Sequence, residues 1–221
     1  MSDAPPSRPT LAMLLRVALR LALVVVALAA VLFGSAGRPD WTAGWRFVTG
    51  YGFFLTLYAL WGLFRDPEQF RERGREAPNV KGWDRVIIRV YTALLVALLV
   101  VAGLDAGRFG WSAAPAAVQV AGWIGLVASS AWISWVAMTN TYLSRLVRIQ
   151  DDRGHRLVSS GPYGFVRHPM YAGLLVVFVC IPLALGSLWG LTVSALDVAL
   201  FVLRTALEDR TLQRELDGYA E

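Results

Sequence analysis

Charge is scarce in this chain of 221 residues. Asp, Glu, Lys and Arg make up 17% of it, against about 25% in a typical soluble domain, while hydrophobic residues fill 56%. That imbalance points to a protein of the bilayer. Cysteine and histidine are scarcer still. The one cysteine, Cys180, excludes an internal disulfide and a cysteine-rich metal site, and its apolar run marks it as a small packing residue. One cysteine and two histidines argue against a structural zinc, so no metal is expected. The usual nucleotide and hydrolase fingerprints are missing too. TGYGFFL carries Gly50 and Gly52 but no third glycine and no strand before it, and there is no G-x-x-x-x-G-K-[ST], H-E-x-x-H or G-x-S-x-G.

What the chain has in abundance is long apolar runs. A spanning helix needs roughly 20 mostly apolar residues, and candidates cover 11–33, 44–64, 86–104 and 117–138. Two shorter runs, 170–185 and 188–203, are separated only by Gly186 and Ser187, which predicts a tight helical hairpin. The expected fold is all-α: a multi-pass transmembrane bundle of about six spans, with no Rossmann domain. Residues 1–138 read as N-terminal transmembrane helices, and residues 139–221 as a polar loop, the hairpin and a C-terminal segment.

The net charge of +5 raises the question of nucleic acid, but the arginines gather at the ends of apolar runs. Arg8, Arg16, Arg20, Arg65, Arg71, Arg73, Arg75, Lys81 and Arg85 fall on one side of a six-span topology. Arg145, Arg148, Arg153, Arg156, Arg167, Arg204, Arg210 and Arg214 join them, leaving Arg38, Arg46 and Arg108 opposite. Basic loops stay inside, so both termini and the loop before the hairpin are expected in the cytoplasm, at a plasma (inner) membrane of bacterial type. The bilayer is the expected partner and nucleic acid is not. Arg16 and Arg20 followed by residues 21–33 and GSAG also have the shape of a cleavable secretory signal; cleavage would leave the other helices oriented as before.

One polar passage interrupts the apolar chain: HRLVSSGPYGFVRHPMYAG, residues 155–173, which holds both histidines. SSGP reads as a turn, and Pro169 as the first residue of the next helix. Free amides at such a helix start suit an anion or carboxylate, and Tyr163 and Tyr171 offer ring faces. Two readings stand here: a pocket for a small zwitterionic or nucleotide-like ligand, or a surface loop anchored in headgroups. Further on, Asp197 lies inside an apolar helix, where an acid costs about 2.5–3.5 kcal/mol. Asp197, Arg204 and Glu208 are spaced to share one helical face, either as a structural ladder or as the lining of a pocket.

The run IQDDRGHRLVSSGPYGFVRHPMYAG, from Ile149, closely resembles the signature of the isoprenylcysteine carboxyl methyltransferase family. That family belongs to a group of small integral-membrane methyltransferases that includes phospholipid N-methyltransferases. The hairpin and the segment Arg204-Thr-Ala-Leu-Glu208-Asp209 follow as in the family, with aspartate where its second glutamate stands. The resemblance covers roughly the last third of the chain. It implies S-adenosylmethionine lined by Gln150, His155, Arg156, Leu157, Val158, Tyr163, His168, Pro169, Met170, Tyr171 and Glu208. It also implies a catalytic role for Arg204 and Glu208, with Arg204 facing a lipidic or small-molecule methyl acceptor. Membrane sterol reductases share a related hairpin but pair it with Arg-His-x-Asn-Tyr, from which Pro169 and Met170 depart. An amine or thiol acceptor, and a binding protein without turnover, are the other readings of the same pattern.

Overall fold

The computed structural model describes residues 9–65, 81–140, 142–143, 147 and 158–215, and among these every regular element is helical. Helix α1 (Leu11–Ala36) starts where the Thr10 hydroxyl accepts from the Met13 amide at 3.3 Å, and it ends at Gly37 in the left-handed region. Helices α2 (Thr42–Arg65), α3 (Gly82–Ala102) and α4 (Ala116–Thr139) follow. A single 3₁₀ turn, Gly161–Gly164, leads to α5 (Pro169–Leu185) and α6 (Gly190–Glu215). The expected all-α bundle is therefore present, and each predicted run falls mainly within one helix. The last helix outruns its apolar segment 188–203, continuing to Glu215, and keeps Asp197, Arg204 and Glu208 in the helical spacing expected for them.

Five of the six helices are long and apolar enough to cross a membrane, as a multi-pass protein requires. The exception is α5, whose 17 residues span about 25 Å, against about 30 Å of hydrocarbon. Its far end nevertheless reaches the level where α3 stops. There α3 continues into a π-helical turn, Gly103–Phe109, that carries the buried Asp105. Asp105 accepts from the Ser112 amide and hydroxyl at 2.7 and 2.6 Å, from the Ser187 hydroxyl at 2.6 Å and from the Trp189 amide at 3.2 Å. The hairpin tip is thereby fastened to the α3–α4 connection.

Close approach between helices depends on missing side chains. A β-carbon on Gly122 of α4 would lie 2.6 Å from the Ala184 nitrogen of α5, and one on Gly103 would lie 2.0 Å from the Ser35 hydroxyl of α1. Small residues of this kind let apolar helices pack backbone to backbone where the hydrophobic effect offers little drive. Cys180 is buried against Gly125, consistent with a packing role. Pro182 removes one helical N–H from α5 and so deprives the Phe178 carbonyl of its usual donor. Ser194 of α6 supplies the replacement, its hydroxyl donating to that carbonyl at 2.7 Å.

Candidate active site

At the opposite end of the bundle, the start of α5 meets the second half of α6. Pro169 occupies the first turn of α5, where a missing N–H costs nothing, and the Trp132 indole of α4 donates to its carbonyl at 2.7 Å. Tyr171, one turn in, points at α6. Its hydroxyl donates to Glu208, the Arg204 guanidinium lies 5.2 Å from its ring centre, and Phe201 meets the ring edge-on at 5.7 Å. His168 stacks on the ring at 5.7 Å, and its Nε2 lies 3.4 Å from the Asp209 carboxylate. Residues 201, 204 and 208 can all serve this one neighbour because they recur at i, i+3 and i+7 on α6.

Arg204 is buried, and its counter-charge comes from a distant part of the sequence. Its Nε and Nη2 donate to the two oxygens of Asp84, in the first turn of α3, at 2.8 and 3.2 Å. Asp84 also accepts from the Val147 amide at 2.8 Å and is itself fully buried. Close by, Lys81 reaches Glu215 at 2.7 Å and its amide donates to the Val147 carbonyl at 3.4 Å. The first turn of α3, Val147 and the end of α6 are thus clamped together.

Of the two readings of the α6 face, the ladder would pair Arg204 with neighbours on its own helix. Asp197, Arg204 and Glu208 do share a face, but Arg204 pairs with Asp84, and the buried Asp197 carboxylate has no hydrogen-bond partner among the described residues. Of the residues implied by the family resemblance, His168, Tyr171, Arg204 and Glu208 are brought together. Pro169 is buried and Met170 half-buried on the same first turn of α5. Tyr163 lies in the 3₁₀ turn, where its hydroxyl accepts from Asn140 Nδ2 at 2.7 Å, at the end of α4. Val158 is half-buried just ahead of that turn. Gln150, His155, Arg156 and Leu157 lie outside the described residues.

Asp84, Asn140 and Trp132 escaped the sequence reading. Asn140 and Trp132 left no signal short of the fold. For Asp84 a signal existed: a buried arginine in an apolar helix requires an anion from another helix, and Asp84 opens an apolar span on the same side.

The fold and this polar end define a multi-pass helical membrane protein with an ionic, aromatic-lined site where α5 and α6 meet. Residues 115–217, just under half of the chain, match the family model described as phospholipid methyltransferase. This stretch, from the start of α4 to the end of α6, is similar to that group of membrane methyltransferases. No curated protein and no solved structure matches the chain.

Proposed function

We propose that the protein is an integral-membrane methyltransferase that uses S-adenosylmethionine and acts on a lipidic acceptor at the cytoplasmic face. The observation that carries this reading is the meeting of His168, Tyr171 and Glu208 inside the stretch similar to phospholipid methyltransferases. The donor set there suits the cofactor. Glu208 and Asp209 offer carboxylates to a sulfonium and to ribose hydroxyls, and Tyr163, His168 and Tyr171 offer ring faces. The amides of Met170 and Tyr171 have no acceptor within their own helix and suit a carboxylate. Residues 150 and 155–158 are assigned to the same ligand by the motif alone.

When bound, the cofactor supplies an electrophilic methyl group. The chain has to hold the acceptor in line with that methyl, exclude water and manage one proton. Orientation of this kind can supply about 7–11 kcal/mol in favourable cases. An amine headgroup is the acceptor that the charges favour. Arg204 is already neutralised by Asp84, which leaves Glu208 as the carboxylate able to take the proton an amine must lose before it attacks. Bound here, S-adenosylmethionine would supply both the methyl and the leaving group, and Glu208 would hold the proton that the amine gives up.

A carboxylate acceptor of the isoprenylcysteine type is the second reading, favoured by the motif from Ile149 onward. It needs no base, and Arg204 would hold the substrate by a charge-assisted hydrogen bond while sharing its fork with Asp84. Selection between acceptors is assigned to the N-terminal helices. Lys81, Arg85, Arg167, Arg210 and Arg214 collect at the site's end of the bundle, against Arg38, Arg46 and Arg108 at the other, which supports the cytoplasmic orientation.

The test is to incubate purified protein with methyl-labelled cofactor and membrane extract, and to identify the labelled product. Label in phospholipid headgroups supports the amine reading. Alkali-labile esters support the carboxylate reading, and volatile sulfides would indicate a thiol. Tight cofactor binding with no label would make the protein a binding protein.

A further inference from the structure

Asp84 lies outside the stretch that matches the family model, on a helix that the motif does not include, yet it is the group that fixes Arg204. We infer that Asp84 is a positioning residue for the cofactor site, acting through Arg204 and Tyr171 on Glu208. The inference rests on the reading that this site binds S-adenosylmethionine.

Three observations carry it. First, the contact is a fork: two guanidinium nitrogens meet two carboxylate oxygens, which fixes the plane of the guanidinium as well as its place. A lone point charge would not do that. Second, that plane lies against two rings, with the Arg204 carbon 5.2 Å from the centre of Tyr171 and 5.6 Å from that of Phe201. Tyr171 in turn places its hydroxyl on Glu208. Third, Asp84 accepts from the Val147 amide with the oxygen that also receives Arg204 Nη2. One buried carboxylate therefore holds both Arg204 of α6 and the Val147 amide.

A purely structural ion pair would stabilise the bundle and leave the ligand indifferent to its geometry. A positioning pair behaves otherwise. Asp84→Glu keeps the charge but lengthens the side chain by one methylene, so the guanidinium must shift or tilt on the Tyr171 ring. The expected result is a melting temperature within a few degrees of wild type, with S-adenosylhomocysteine affinity at least fivefold weaker and turnover at least tenfold lower. Because Asp84 acts through Glu208, the affinity losses of Asp84→Glu and Glu208→Gln should be non-additive. The double variant should bind hardly worse than Glu208→Gln alone.

Arg204→Lys, which breaks the fork from its other side, is measured in parallel and should show the same non-additivity with Glu208→Gln. The test then survives if Asp84→Glu does not fold. Full affinity and turnover in a folded Asp84→Glu protein, or losses that multiply in the double variants, would overturn the inference. If the wild type itself binds no S-adenosylhomocysteine, both the inference and the functional reading fall; if only the variants behave as wild type, the inference falls alone.

Discussion

The hydroxyl of Ser187, at the tip of the α5–α6 hairpin, donates to Asp105 in the π-helical turn after α3 across 2.6 Å. Four donors converge on that buried carboxylate, from Ser112 twice, Ser187 and Trp189, so it holds the hairpin at the depth where its neighbours leave the membrane. Asp105→Ala would leave those donors buried without an acceptor. We expect it to cost about 2–4 kcal/mol, while Ser187→Ala, which removes one donor to Asp105 and the acceptor of the Gly190 amide, costs about 1–2 kcal/mol. Melting in detergent checks the ranking, and equal effects would contradict it.

The same contact makes a topological forecast. If the hairpin tip stands beside the α3–α4 connection, it faces the same compartment as that connection. Reporter fusions after Gly37, Gly107 and Ser187 should read as external, and fusions after Gly74 and Gly154 as internal. An internal signal at Ser187 alone would mean that α5 and α6 enter and leave on one side.

Much of this fold was legible because a membrane simplifies the code. Runs of 20 apolar residues, arginines at their ends and Pro169 at a helix start each state one physical requirement. The depth of the hairpin was not legible, because it depends on Asp105 meeting Ser187 across 82 positions. In the site, the local signal was good wherever one helix face supplied it, as with Arg204 and Glu208. The partner of Arg204 was not legible, since spacing along α6 shows only which residues share its face, while the tertiary fold brings Asp84. Pairing across helices leaves no trace in periodicity.

Asp197 is left as a buried carboxylate with no hydrogen-bond partner among the described residues. An uncompensated acid of this kind opposes folding. Asp197→Asn should therefore raise the melting temperature by a few degrees. It should leave S-adenosylhomocysteine affinity unchanged, because seven helical residues, about 10 Å, separate it from Arg204. A fall in both quantities would show that the carboxylate serves a ligand or a polar neighbour.

Glu208 and Arg204 should part company in stability. Glu208→Gln keeps the shape and removes the charge, so cofactor affinity should fall about tenfold, or about 1.4 kcal/mol, with melting little altered. Arg204→Lys cannot satisfy both oxygens of Asp84, so it should lower melting as well as affinity. Melting curves and ligand affinities taken on both variants decide the matter. Parallel losses of stability would mean that Glu208 serves the fold and not the ligand.

If the end of the bundle around Tyr171 binds S-adenosylmethionine, S-adenosylhomocysteine should stabilise the detergent-solubilised protein, and ligand-dependent melting reads this without any methyl acceptor. At a hundred times its dissociation constant, a ligand that binds only the folded state adds about 2.7 kcal/mol. The expected result is a rise of several degrees that saturates with concentration and shrinks in His168→Ala. An unchanged curve at saturating S-adenosylhomocysteine, with NADPH stabilising the protein instead, would contradict it.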